Sequence, residues 1–277
     1  VKARELIFDI FGDHLRYRGG EARLRDLSSL MGSLDVPETT VRVLVTRLRK
    51  EGWLTSRRDG RETIYGLTDA SWRLLDEGRE RIFSRATGPW DGQWHMIIYS
   101  VPESERAVRE RLRKRLAWCG FGPFSSATWL SPHDRTAQVL DAFVDQPSVQ
   151  LDVFRSRSKG LDADRSIAAR AWDLGVLDDA YAEYLRDNRP RLAAYRAGRP
   201  EGVEAFVERM RLVHHYRTFP FRDPDLPPEL LPAGWHGRVA HEVFLEAHGL
   251  LRAEAEAYVD SVTEAPETGP AAEREAG

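Results

Sequence analysis

The chain has 277 residues, 42% of them hydrophobic and 31% charged, with a formal net charge of −3. That length predicts more than one domain, and the composition is that of a globular chain slightly rich in charge. Apolar runs last only a few residues, far short of the roughly 18–20 a membrane helix requires. No cationic segment leads into an apolar core at the N-terminus, so secretion is not expected and the expected location is the cytoplasm.

Cys119 is the single cysteine, which excludes an internal disulfide and a cysteine-based zinc finger. Trp118-Cys119-Gly120-Phe121 reads as a buried helix end rather than as the setting of a thiol nucleophile. The net charge conceals an uneven distribution. From Thr39 to Arg61 seven cations (Arg42, Arg47, Arg49, Lys50, Arg57, Arg58, Arg61) face only Glu51 and Asp59, a net of +5. From Glu254 onward seven acids face Arg274 alone, a net of −6.

In chain order, Leu6, Ile7, Ile10, Phe11 and Leu15 stand in helical register between Ala3 and Tyr17, and Gly19-Gly20 breaks that helix. Leu24, Leu27, Leu30 and Met31 mark a short second helix. A third begins near Pro37, where a proline loses no needed hydrogen bond and Asp35 and Glu38 favour the positive dipole end. Val41, Leu44, Val45 and Leu48 recur at i, i+3, i+4 and i+7, one apolar face of a helix ending near Gly52. Two strand-like runs, Trp53 to Ser56 and Glu62 to Tyr65, flank Asp59-Gly60, a strong tight-turn signal. Thr68-Asp69 caps a further helix carrying Trp72, Leu75, Ile82 and Phe83, and Thr87-Gly88-Pro89 marks a boundary. Helix, turn, helix and hairpin is the winged-helix order, and a helix buried on one side and basic on the other suits the major groove of DNA.

A second unit opens with the strand Gln93 to Pro102, followed by an amphipathic helix with Val108, Leu112, Leu116 and Cys119 inward. A strand over Phe124 to Leu130, a helix over Thr136 to Phe143 and a strand over Val149 to Phe154 complete a pattern that suggests a ferredoxin-like sandwich with one strand not placed. From Asp164 the pattern is helical, interrupted by a proline-rich strap from Phe219 to Pro232 whose leucines and phenylalanines predict packing. Residues 264–277, rich in Pro, Ala and Glu, read as disordered. The expected fold class is thus α+β multidomain: a winged-helix domain over 1–87, a ferredoxin-like α/β sandwich over 90–160, a mostly helical domain over 161–263 and an acidic tail.

Taken together, these features resemble the PaaX family of transcriptional regulators, from Arg4 to about Tyr258. The most specific parts are Val41-Arg42-Val43, Arg47-Leu48 and Glu51-Gly52-Trp53-Leu54, then Tyr216-Arg217-Thr218-Phe219-Pro220-Phe221-Arg222-Asp223-Pro224-Asp225-Leu226-Pro227, and then Leu230-Leu231-Pro232-Ala233 with Trp235 and Gly237. The resemblance implies a homodimeric repressor released from its operator by a small-molecule effector, an aromatic acyl-CoA such as phenylacetyl-CoA. The middle segment also resembles the small ferredoxin-like endonucleases of CRISPR adaptation, which place a metal-binding aspartate at the end of the first strand. Ser100 stands there instead, and a hydroxyl does not replace a carboxylate toward a hard cation.

Within the third helix, Arg42, Thr46 and Arg47 are candidates for base edges, with Thr39, Thr40 and Val43 on the same helix. Arginine chelates O6 and N7 of guanine, and threonine offers a hydroxyl and a methyl. Arg49, Lys50, Arg57, Arg58 and Arg61 suit phosphates or the minor groove, since wing tips follow the backbone. Arg217 and Arg222, flanking Phe219 and Phe221, are the candidate effector contacts, with cations for phosphates and aromatics for an acyl ring; the competing reading is that they lock the strap to the core. His214, His215, His236, His241 and His248 lack a tight ligand pair, so no metal or cofactor is expected. The expectation is a non-enzymatic regulator binding a palindromic DNA operator as a dimer. The alternative is an enzyme, either a metal-dependent nuclease built on the central domain or a CoA-thioester-handling enzyme, for which no nucleophile or metal cage is evident.

Overall fold

The computed structural model describes residues 2–85 and 89–263. The boundary at Thr87-Gly88 and the tail over 264–277 lie outside the described residues. The described chain is mixed α/β and forms two compact units, one of residues 2–80, 190–216 and 244–263, the other of residues 81–189 and 217–243.

In the first unit the order is α1 (Ala3–Asp13), a 3-10 turn, β1 (Glu21–Arg23), α2 (Leu24–Gly32), α3 (Glu38–Lys50), β2 (Leu54–Asp59), β3 (Glu62–Leu67) and α4 (Asp69–Phe83). The three strands form an antiparallel sheet in the order β1-β3-β2. β1 was not expected: three residues of sequence Glu-Ala-Arg carry no strand signal, and pairing with Ile64 to Gly66 supplies what propensity does not. Between α2 and α3 the chain turns through Asp35 at φ 60, a left-handed conformation aspartate tolerates, and Val36 N–H donates to Met31 O at 3.0 Å. Pro37 is the N-cap of α3 rather than its first residue. Gly52, at φ 78, ends α3 as Trp53 N–H returns to Leu48 O at 2.9 Å. Thr68 caps α4, its hydroxyl accepting from Ser71 N–H at 3.3 Å.

The core of this unit contains Ile7, Ile10 and Phe11 of α1, Leu27, Leu30 and Met31 of α2, and Val41, Val45 and Leu48 of α3. It also contains Ala205, Phe206 and Met210 of α9 (Gly202–Tyr216), and Ala255 and Val259 of α10 (Gly237–Val262). The C-terminal helices therefore complete the same core as the first helices. Polar groups reinforce the joint. Arg209, 1% exposed, donates from Nε to Asp13 Oδ2 at 2.6 Å and from Nη2 to Asp13 Oδ1 at 3.2 Å. His248 Nε2 lies 2.8 Å from Asp13 Oδ1, and His214 Nδ1 lies 2.8 Å from Asp9 Oδ2. Burial would raise the Asp13 carboxyl, yet His248, Arg209 and His14 hold it well below the carboxylate range.

His14 is fully buried, and neither ring nitrogen has a hydrogen-bond partner among the described residues. Burial, opposed by Asp13 and aided by Arg209, Arg18 and His248, lowers its pKa from 6.5 to about 4. In the unfolded chain His14 takes up a proton near its ordinary value, while in the folded chain it stays neutral to about pH 4. Between those values the unfolded state holds more protons, so the unit loses stability as pH falls from 6.5 to 4, by about 3 kcal/mol at most from this group. Urea unfolding at pH 7 and pH 4.5 checks this. His14→Leu is expected to show a smaller loss than wild type, and equal losses in both proteins would exclude His14 as a source.

In the second unit the order is β4 (Trp94–Ser100), α5 (Arg106–Trp118), β5 (Gly122–Pro123), β6 (Thr128–Ser131), α6 (Thr136–Asp141), β7 (Gln150–Ser156) and α7 (Leu161–Ala171). α8 (Leu174–Ala197) follows and contributes residues 174–189 here. The sheet is antiparallel in the order β5-β6-β4-β7, the strand order of a split βαβ sandwich. The strand not placed from sequence is Gly122–Pro123. The run expected over Phe124 to Leu130 pairs with β4 only from Thr128. A Cβ on Gly122 would lie 2.5 Å from the Trp172 ring, so a side chain is excluded there. One sheet face packs Ile97, Tyr99 and Trp129 with Leu112 and Leu116 of α5 and Val139 of α6. The other packs Trp94 and Leu130 against Ala168 and Ala171 of α7 and Leu226 and Leu230 of the strap. Trp94 Nε1–H donates to Asp164 Oδ1 at 2.7 Å, which satisfies both buried groups. Cys119 is buried just after α5.

Candidate nucleic-acid interface

α3 is amphipathic in the way its sequence predicts. Val41, Val45 and Leu48 are buried, while Leu44, the fourth residue of the expected stripe, is half-buried. Thr39, Thr40, Arg42, Val43, Thr46, Arg47, Arg49 and Lys50 are all exposed, and Val43 is 67% exposed although apolar. At about 100° per residue, Thr39, Val43, Thr46 and Lys50 share a stripe about 60° wide opposite the buried one. Arg42 and Arg49 border it on one side, and Thr40 and Arg47 on the other. The centre is thus methyl-rich and its edges cationic, a composition matched to thymine methyls and guanine acceptors.

The hydrogen bonds divide the cations. Arg42 Nε and Nη2 reach Glu38 Oε1 at 2.9 and 2.5 Å. Arg47 Nε reaches Glu51 Oε1 at 2.7 Å, and Glu51 Oε2 also receives Arg4 Nη1 at 2.6 Å. Hydrogen bonds from Arg47 and then Arg4 lower the Glu51 pKa, so that carboxylate stays ionised. Arg57 on β2 is held by Glu21 of β1 at 2.7 Å, and Arg49 Nη1 donates to Ser56 Oγ at 3.2 Å. Lys50, Arg58 and Arg61 carry no ion pair among the described residues. Thr46 donates its hydroxyl to Arg42 O at 2.8 Å, so its hydroxyl proton is engaged within the helix.

The hairpin brings its arginines to an exposed tip. Asp59 pairs with Glu62, so Gly60 and Arg61 form the two-residue loop, with Gly60 at φ 57. The turn signal in Asp59-Gly60 is present, but the loop centre lies one residue later. Arg57, Arg58 and Arg61 are exposed. Sequence reasoning did not include Glu21, Glu38 and Glu51 in this surface. For Glu38 and Glu51 the i,i+4 spacing from an arginine was the available signal; Glu21 reaches Arg57 only through strand pairing.

In the second unit the four effector candidates occupy different settings. Phe219 is 3% exposed, stacks on Tyr181 at 4.1 Å between ring centroids, and meets Tyr184 edge-on. Phe221 is 46% exposed and lies 4.7 Å from the Trp118 ring. Arg217 is half-buried and Arg222 exposed. The strap is anchored through Asp223, whose Oδ2 accepts from Tyr181 O–H and Arg85 Nη1, both at 2.6 Å. Arg81 donates to Trp118 O and Pro220 O. Burial first, and Arg85 second, lowers the His241 pKa to about 4, opposed by Asp225 and Asp223. Ser100 is exposed at the end of β4, opposite Gln150. Among the described residues no group of three or more His, Cys, Asp or Glu is arranged to hold a metal ion, and no helix is long and apolar enough to cross a membrane.

A family model described as PaaX-like protein matches residues 2–71. The PaaX protein central Cas2-like domain matches 87–168, and the PaaX-like protein C-terminal domain matches 172–261. The Escherichia coli (strain K12) protein named transcriptional repressor PaaX is 30% identical over 280 residues, covering 97% of this chain and 88% of that one. That name supports a non-enzymatic regulator. A solved structure of the uncharacterized protein Rv0674 from Mycobacterium tuberculosis aligns with a TM-score of 0.58 at 25% identity, covering 92% of this chain and 98% of that chain. Matched by all three models in order along nearly its whole length, the chain belongs to the PaaX family of regulators.

Proposed function

We propose that this chain is a winged-helix transcriptional repressor that binds a palindromic DNA operator as a homodimer and leaves it when a small-molecule effector, of the aromatic acyl-CoA class, binds. The observation that carries the reading is α3. Its buried stripe belongs to the core, and the opposite face presents eight exposed residues of which four are cationic. The name of the Escherichia coli relative supports the repressor role. In this reading α3 enters the major groove, Arg42 and Arg47 read guanine, and Arg49, Lys50, Arg57, Arg58 and Arg61 meet phosphate or the minor groove. In this reading residues 1–87 carry DNA binding and 90–160 the linkage, while the helices over 161–263 are divided between the two compact units. Two α3 helices about one DNA turn apart, roughly 34 Å, fit such an operator. The effector acts by favouring a dimer geometry that breaks this match, which requires different affinities for the two states. Phe221 and Arg222, exposed on the strap, are its candidate contacts with Arg217; Phe219 contributes through packing.

A gel-shift with the protein's own promoter duplex, with and without phenylacetyl-CoA, tests the reading. A specific shift reversed by the thioester is expected, and metal-dependent cleavage of the probe without a specific shift would overturn it. Arg42→Ala is expected to weaken the shift by about 1–3 kcal/mol and relax one base preference; competition with single-base variants of the duplex measures this.

A further inference from the structure

Glu38 opens α3 one turn before Arg42 and is itself exposed. Arginine has two hydrogen-bonding edges, one formed by Nε and Nη2 and the other by Nη1 and Nη2. Both contacts from Arg42 to Glu38 use the first edge and end on one oxygen, Oε1. The terminal edge has no acceptor among the described residues. That edge carries the paired donors that match O6 and N7 of guanine. A free arginine at this position loses much side-chain freedom on binding a base, whereas one already held along its Nε edge loses less.

We propose that Glu38 is a positioning residue for sequence reading: it holds Arg42 by the Nε edge and leaves the terminal fork facing a guanine of the operator. The proposal rests on the DNA-binding reading above. Arg47 is held at Nε in the same way by Glu51, but Glu51 also ties Arg4 of α1 to the helix and so serves packing as well. Glu38 has no second cation among the described residues, which makes it the cleaner test. Its own charge opposes approach to phosphate, so Glu38 lowers general affinity while it sharpens discrimination. A surface ion pair that only stabilises the helix would lower general affinity through its charge but would not sharpen discrimination at one base pair.

The experiment uses the full chain and a pool of duplexes with a randomised core, from which wild type selects its preferred sequence. That duplex, its single-base variants and an unselected duplex are the probes. Arg42→Ala first identifies the base pair that Arg42 reads, as the position where preference is lost. Glu38→Ala and Glu38→Gln are then expected to reduce discrimination at that same pair by roughly three- to tenfold, a part of what a bidentate contact supplies. Both variants are expected to bind the unselected duplex as tightly as wild type or more so. Uniform weakening across all probes, or lost discrimination at a different pair, would overturn the positioning role while leaving DNA binding intact. If wild type enriches no sequence and its binding to the pool does not depend on salt, the DNA-binding reading falls and the proposal with it.

Discussion

Arg209→Met is expected to destabilise the first unit by about 3–5 kcal/mol, because it removes one member of a buried ion pair and leaves the other. Arg209 and Asp13 are nearly inaccessible and joined through two hydrogen bonds. Asp13 would retain His248 at 2.8 Å, which places the loss toward the lower end of that range. The pair itself is a different quantity: exchanging both members for apolar residues of similar size is often neutral. Asp13→Leu combined with Arg209→Met is therefore expected to recover most of the loss. With two units present, hydrogen exchange read on peptides from α1 and α9 is the suitable measurement, since it assigns unfolding to a region. A loss below about 1 kcal/mol in the single variant would contradict the burial-based account.

Replacing Lys50, Arg58 and Arg61 together by alanine is expected to weaken operator binding about a hundredfold at 0.15 M salt and to reduce the slope of log K against log salt by about 3. These three exposed cations carry no ion pair among the described residues, so no described carboxylate competes with a phosphate for them. The loss should be nearly the same for operator and unrelated duplex, in contrast to Arg42→Ala, whose effect should concentrate on one base pair. Fluorescence anisotropy across a salt series separates the two behaviours. An unchanged slope would remove these residues from the contact surface.

Much of the segment from α1 to α4 was legible in sequence because its signals are local. Pro37 beside Glu38, the recurrence of Val41, Val45 and Leu48, and the turn at Gly60 all act within one element or one hairpin. β1 and β5 were not legible: a Glu-Ala-Arg triplet and a Gly-Pro pair become strands only because longer partners impose the pairing. The ion cluster beneath α1 was hidden for a different reason. Asp13 meets a residue 196 positions away in Arg209 and one 235 away in His248, and no spacing rule links them. For the strap, the two competing readings were both visible beforehand. Burial of Phe219 in an aromatic stack favours packing at that residue, while Phe221 remains exposed.

The completion of the first core by α9 and α10 bears on the order in which the protein becomes active during synthesis. α3 leaves the ribosome about 210 residues before the end of α10, an interval on the order of 10–40 s at roughly 5–20 residues per second. Throughout it, the core of α1, α2 and α3 lacks the side chains of α9 and α10 that complete it. A nascent or prematurely terminated chain thus carries all of α3 with the core beneath it incomplete. If α3 is the DNA-contacting helix proposed above, a chain stopped before α10 is expected to hold an operator more weakly than the full chain and so to compete poorly for it.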